Sequence, residues 1–377
     1  MVAKRQLFPG VTTMVVAALL ASVQMAAGQG GMAPVDTARL KVTVDSSAKQ
    51  IVLMVGPFHL VDRSGEDTHA HSGAGHDTPV YHFDWPIEGW LRGFQLEVVD
   101  GQGNALPRHI MHHMIMVNFD RRQLIYRAAE RILGAGSETA DYTLPKSIGV
   151  PVRPGSDLGM YIAWHNDTGA PIDDVYFRMA LKWTPRNQMP RPVSSLPVYF
   201  DVNLTVGGTN TFDIPAGRSE KSYEFTLPVS GRLLGVGGHM HDYGAEVRLE
   251  DAESGKVITS LSAESDADGR LLGMERNLFG VSGRGKKLKA NHRYRVVAVY
   301  DNPTGHTIDL GAMAHMVGLF VPDDIDKWPA LDPSDPEFQK DIASLADLSS
   351  KIMKMDHVTP ADEDEHGDHE HAEDDGE

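Results

Sequence analysis

The 377-residue chain contains no cysteine. That absence excludes a disulfide framework and every thiolate metal site, and it leaves methionine as the soft metal ligand still on offer. Basic residues are in deficit as well: 35 Lys and Arg against 52 Asp and Glu give a formal charge of −17. With no basic stripe visible, this argues against a nucleic-acid surface, since phosphate binding needs clustered Lys and Arg. Long apolar runs are also missing from the body of the chain, where nothing approaches the roughly 20 residues that span a bilayer. The one apolar run, residues 11–25, follows Lys4 and Arg5 and precedes Ala26, Ala27 and Gly28. This is the pattern of a secretory signal peptide over residues 1–28, so the mature protein is expected to be secreted or periplasmic, without membrane insertion.

What is present is β pattern, histidine and acid. The acid concentrates in "DHVTPADEDEHGDHEHAEDDGE", residues 356–377, which holds His357, His366, His369 and His371 and has too little apolar content to fold. A second polar segment, "RSGEDTHAHSGAGHDTPVYH" at residues 63–82, supplies His69, His71, His76 and His82. Both read as mobile segments of weak metal affinity, or as a solvating tail and an ordinary loop. Elsewhere short Val, Ile, Tyr and Phe runs alternate with polar residues between Gly, Pro, Asn and Asp, as in "YFDVNLTVGG" and "RYRVVAVYDNPTG". That is the pattern of antiparallel β-sandwiches. The hydrophobic content of 41% suits two cores of ordinary size. The Pro-rich stretch "TPRNQMPRPVSSLP" divides the pattern, giving expected domains at 29–190, with the His-rich insertion near 63–82, and at 191–322. A helical extension is expected over 323–356, opened by a capping box of Ser334 and Glu337, with Phe338, Ile342, Leu345, Leu348 and Ile352 at helical spacing. A disordered acidic tail, 357–377, would follow.

The stretch "RHIMHHMIMVNFD", residues 108–120, sets His112 and His113 side by side in a run fit for a buried strand. A lone buried histidine is most often a satisfied core residue, but this chain offers ordered pairs. In a regular strand His112 and His113 would face opposite sides, and could share one ion only at a bulge or strand end. His165, in "YIAWHNDTG", stands where a strand gives way to a turn. His239 and His241, in "GVGGHMHDYG", are spaced i and i+2 and so share a strand face. Downstream, "GAMAHMVGLFVP" sets methionines beside a strand in which Val317, Leu319 and Val321 can fill a core, with Met316, Gly318 and Phe320 on the other face. By that parity Met316 points toward His239 and His241, and His315 points toward the core. Met313 is the competing methionine, in the preceding turn. Imidazole combined with thioether points to copper, Cu(I) above all.

These motifs, in this order, resemble the copper type II, ascorbate-dependent monooxygenases, the family of peptidylglycine α-hydroxylating monooxygenase and dopamine β-monooxygenase. The resemblance runs from about residue 41 to residue 322. It takes in His112-His113-Met114, His165, His239-Met240-His241, the Tyr300-x-Asn302 strand in "VVAVYDNPTG", and Met316. It implies an all-β fold of two tandem jelly-roll sandwiches with one copper in each. His112, His113 and His165 would hold the electron-storing copper. His239, His241 and Met316 would hold the catalytic copper, where dioxygen inserts one oxygen atom into a C–H bond at the expense of ascorbate or another one-electron reductant, small or protein. The peptide-hydroxylating members carry arginine, asparagine and tyrosine where this chain has Gly237, Gly318 and Phe320. A carboxylate clamp for a peptide is thus absent, and a smaller, less polar organic substrate is expected. The alternatives are an exported copper-handling protein with the same ligands and no turnover, and a sugar- or partner-binding sandwich with incidental histidines.

Overall fold

The computed structural model describes residues 38–64, 78–279 and 285–355, the last nine of them by backbone only. The fold is all-β, two antiparallel sandwiches of jelly-roll type in tandem followed by one helix. In the first sandwich one sheet runs in the order Arg39–Asp45, Gln50–Leu60, Ile172–Pro185, Gly89–Asp100, Ile148–Val152, Val193–Ser194, with Tyr142–Thr143 beside Gly89–Asp100. The opposing sheet has four strands in the order Tyr81–Asp84, Asp157–Trp164, Met111–Arg122, Ala129–Gly136. Period-2 patterning explains the pairing of the two. Ile51, Leu53 and Val55 are fully buried on one face of their strand, and they meet Met114, Met116, Met160 and Ile162 from the other sheet in one core.

The chain crosses to the second sandwich within three residues. Val193–Ser194 still pairs with Ile148–Val152, while Leu196–Asp201 pairs with Ala314–Pro322. There the sheet order is Leu196–Asp201, Ala314–Pro322, Gly231–Met240, Asn277–Leu278. It faces a five-stranded sheet ordered Gly217–Thr226, Arg293–Asn302, Gly244–Asp251, Val257–Ser265, Leu271–Met274. A second core lies between them, built on Val198, Phe200, Met240, Val247, Val296, Met316 and Phe320.

Three sequence expectations change here. His82 belongs to the strand Tyr81–Asp84, stacked on Phe119 at 4.8 Å, so the His-rich insertion ends before it. His69, His71 and His76 lie outside the described residues, as do the four tail histidines. The helix Pro336–Met355 is not capped by Ser334. Its cap is Asp335, whose carboxylate accepts from the Glu337 and Phe338 N–H groups at 2.9 and 3.3 Å, and proline fills the first helical position, where a missing N–H costs nothing. The helix is also more than an extension of the second sandwich. Phe338, Ile342 and Leu345 pack on Val117, Ile115, Phe119 and Tyr161, the outer face of the first sandwich's four-stranded sheet. Asp341 is buried there and binds the Arg131 guanidinium through both oxygens, at 2.6 and 2.7 Å. Among the described residues no helix is long and apolar enough to cross a membrane.

Candidate metal centre

The two sandwiches turn the outer faces of two sheets toward each other, and between them lies a cavity of about 1280 Å³. Its walls carry five histidines: His112 and His113 from the first sandwich, His239, His241 and His315 from the second. The remaining wall is largely apolar, with Ile115, Leu133, Leu144, Val317 and Leu319 among its residues.

A bulge explains how two adjacent histidines reach one cavity. Pairing between Met111–Arg122 and Asp157–Trp164 shifts register between Met111 and His113. The extra residue resets the alternation, so Met111 and Met114 both face the core at 0% exposure while His112 and His113 between them both line the cavity. Their Nδ1 atoms stand 3.1 Å apart and their ring centroids 4.8 Å apart. His165 follows the strand Asp157–Trp164. Its backbone N–H binds the Ile110 carbonyl at 2.8 Å, two residues before His112, and it is not part of the cavity wall.

In the second sandwich the strands Gly231–Met240 and Ala314–Pro322 pair with His239 opposite His315 and Gly238 opposite Met316. Residues directly opposite share a face, so His239 and His315 point the same way and Met316 points the other. Their ring centroids are 5.2 Å apart, and His239 and His241 are 5.3 Å apart. Met316, fully buried, lies in the sandwich core with Phe200 and Phe320. The expected parity of this strand is therefore reversed. Phe320 and Met316 fill the core, and His315, Val317 and Leu319 face the first sandwich. The cavity face carries Val317 and Leu319 and the core face Met316 and Phe320, so both are apolar and composition does not separate them. Met313, between the strands Ile308–Ala312 and Ala314–Pro322, does line the cavity.

Neighbouring groups set the state of the rings. Glu138, just past the strand Ala129–Gly136, reaches across from the first sandwich and accepts from His239 Nδ1 at 2.8 Å. Burial works to raise its carboxyl's pKa, but the His239 ring and the Thr139 hydroxyl outweigh that, and the net shift is downward. His241 Nδ1 lies 3.0 Å from the Gly311 carbonyl, which can only accept. Nδ1 therefore carries the proton, and the lone pair of the neutral ring falls on Nε2. Tyr300 braces the same region: its hydroxyl donates to the Met313 carbonyl at 2.6 Å and accepts from the His241 N–H at 3.3 Å. His315 is held neutral, its pKa pushed well below 6.5 by burial and then by the nearby His239 and His113 rings. Its Nδ1 is buried with no hydrogen-bond partner among the described residues. Glu138 and Tyr300 were not among the sequence candidates. The Tyr-x-Asn strand drew attention to Tyr300 only as a motif, and nothing local marks Glu138.

Could this set hold a metal ion? Among the described residues no three His, Asp or Glu side chains form a ready-made metal group, so the imidazoles are gathered in pairs rather than closed round one point. The pairs themselves suit a shared ion. With metal–nitrogen bonds of about 2.0–2.1 Å, two imidazoles at a tetrahedral angle have ring centroids roughly 5 Å apart. The carboxylate on His239 and the carbonyl on His241 are the partners that orient metal-binding histidines in general. Gly237 keeps the wall open beside them, since a Cβ there would meet only the Arg276 stem, at 3.9 Å.

No protein-family model matches the chain, and no curated protein matches it. Among solved structures it is similar to the major capsid protein of bacteriophage PM2, at 10% identity over 71% of this chain and 98% of that one, with a TM-score of 0.33. A structure of Sulfolobus turreted icosahedral virus is similar at 8% identity over 81% of this chain and 99% of the other, TM-score 0.33. PNGF-II is similar at 10% identity over 72% and 66%, TM-score 0.34.

Proposed function

We propose that the protein is an exported copper-dependent monooxygenase acting on a small, largely apolar organic substrate. The observation that carries the reading is the gathering of five imidazoles from two sandwiches, His112 and His113 against His239, His241 and His315, in one apolar-walled cavity. An all-nitrogen donor set without cysteine holds copper most tightly among the divalent first-row metals. His112 and His113, with His165 just past the end of the neighbouring strand, would be the first ligand set, and His239 and His241 belong to the second. When bound, copper would supply one-electron redox chemistry and activation of dioxygen, with ascorbate or another one-electron reductant as electron source.

The chain's own residues have separate tasks in this reading. Glu138 fixes the tautomer and orientation of His239 from across the interface, and the Gly311 carbonyl does the same for His241. Ile115, Leu133, Val317 and Leu319 exclude water and favour an apolar substrate. Where the two sandwiches meet, the rings of His112 and His241 are 6.1 Å apart, so the two ligand sets and the substrate space are contiguous.

The test is copper content and oxygen uptake on one reconstituted sample of the mature chain. Bound copper, with ascorbate-dependent oxygen uptake that His239→Ala and His241→Ala abolish, is the expected result. Bound copper without such uptake would favour a copper-handling protein instead, and a chain that binds no copper would refute both.

A further inference from the structure

We infer that His315 is a metal ligand of the second sandwich, standing where the family resemblance calls for a methionine. The inference rests on the copper reading above and narrows it to a donor set.

Strand register is the first observation. His315 is directly opposite His239 across the Gly231–Met240 and Ala314–Pro322 ladder, on the cavity side. Its ring lies 5.2 Å from that of His239, nearly the same spacing as His239 to His241. His239 thus has an imidazole at metal-sharing distance on each side, His241 along its own strand and His315 across the ladder.

The second observation is the state of the ring. Tyr199 packs on it at 4.7 Å, and its Nδ1 is buried with no hydrogen-bond partner among the described residues. A buried polar atom left unsatisfied is costly and uncommon, and one standing beside two further imidazoles points to an absent partner that accepts a lone pair.

The methionines fit less well. Met316 is on the opposite face, paired across from Gly238 and packed in the sandwich core. Reaching the cavity would require flipping the strand, which would bury His315 among Phe200 and Phe320. Met313 lines the cavity but lies before the strand begins, with its carbonyl held by Tyr300. Replacing thioether by imidazole hardens the site: it weakens the preference for Cu(I) and strengthens the hold on Cu(II).

X-ray absorption on the full mature chain, reconstituted with copper alone and then reduced with ascorbate, separates the possibilities. The expected spectrum contains nitrogen and imidazole scattering and no sulfur shell. His315→Gln should lower the imidazole scattering and weaken copper retention against a chelator by about tenfold or more. Met313→Ile and Met316→Ile, both close in volume, should leave the spectrum as it is. A sulfur shell in the unmutated protein, lost in either methionine variant, would overturn the assignment while leaving the copper reading intact. So would a His315→Gln protein that matches the unmutated one in both spectrum and copper retention. Failure of the unmutated chain to take up any copper would remove the copper reading itself, and this inference with it.

Discussion

The strand that carries His112 and His113 and the strand that carries His315 and Met316 pose the same problem and solve it differently. Each sets polar donors in an apolar run that has a sandwich core on one face and the cavity on the other. The first interrupts its alternation: a bulge between Met111 and His113 turns two neighbours to one side. The second keeps strict alternation through Ala314, His315, Met316 and Val317, so only every other residue can reach the cavity, and the register puts His315 there. Alternation alone thus assigns a face only when one face is wet. When both are apolar, the pairing register decides: Phe320 and Met316 fall in the sandwich core, while His315, Val317 and Leu319 face the cavity.

The two strands differ most at Met316. As a fully buried core residue, Met316→Ala should cost about 2–5 kcal/mol in denaturant unfolding, with copper stoichiometry unchanged in the protein that remains folded. A stable Met316→Ala protein lacking second-sandwich copper would return Met316 to the cavity. On the first sandwich, the outer face beside the histidines is sealed by the C-terminal helix, so Asp341→Ala should cost on the order of 3 kcal/mol by leaving Arg131 uncompensated. Hydrogen exchange should show residues 336–346 opening first. Unchanged protection there would mean that the Arg131–Asp341 pair does not hold the helix.

A smaller effect acts through pH. His315 has a folded pKa well below its ordinary 6.5, from burial and the His239 and His113 rings. Below pH 6.5 the unfolded chain takes up a proton that the folded chain refuses, so stability falls as pH drops from 6.5 toward the lowered value. In metal-free protein this acid-side loss should be shallower for His315→Gln. Identical slopes would place His315 in water. The smallest effect belongs to His109, an exposed histidine paired with Asp167 at 3.2 Å outside the cavity. His109→Ala should change stability by no more than about 0.5 kcal/mol and leave copper binding as it was. A loss of copper there would extend the site beyond the cavity wall.

Much of this was legible along the chain. The β class and the helix with Phe338, Ile342 and Leu345 inward follow from periodicities that a single element carries. His112, His113, His239 and His241 stand out in the sequence as ordered motifs, but the resemblance divides them between two coppers and does not predict one shared cavity wall. What was not legible depends on contacts between distant elements. Glu138 and His239 meet across the two sandwiches, and the helix packs back on the first sheet instead of continuing from the second. The Met111–His113 bulge was recognised only as a condition for a shared ion, because nothing in "IMHHM" marks an extra residue. The capping residue was missed by one position because Ser334 has the right spacing to Glu337, while Asp335 has the stronger acceptor and the following proline.

Both histidine sets meet in one cavity, with His315 facing it and Met316 turned away. Anomalous diffraction at the copper edge, on crystals of the copper-loaded protein, tests this arrangement. The strong peaks should all fall between His112 and His113 on one side and His239, His241 and His315 on the other, with no sulfur bonded to them. A peak bonded to the Met316 sulfur, or strong peaks confined to sites away from this cavity, would contradict it.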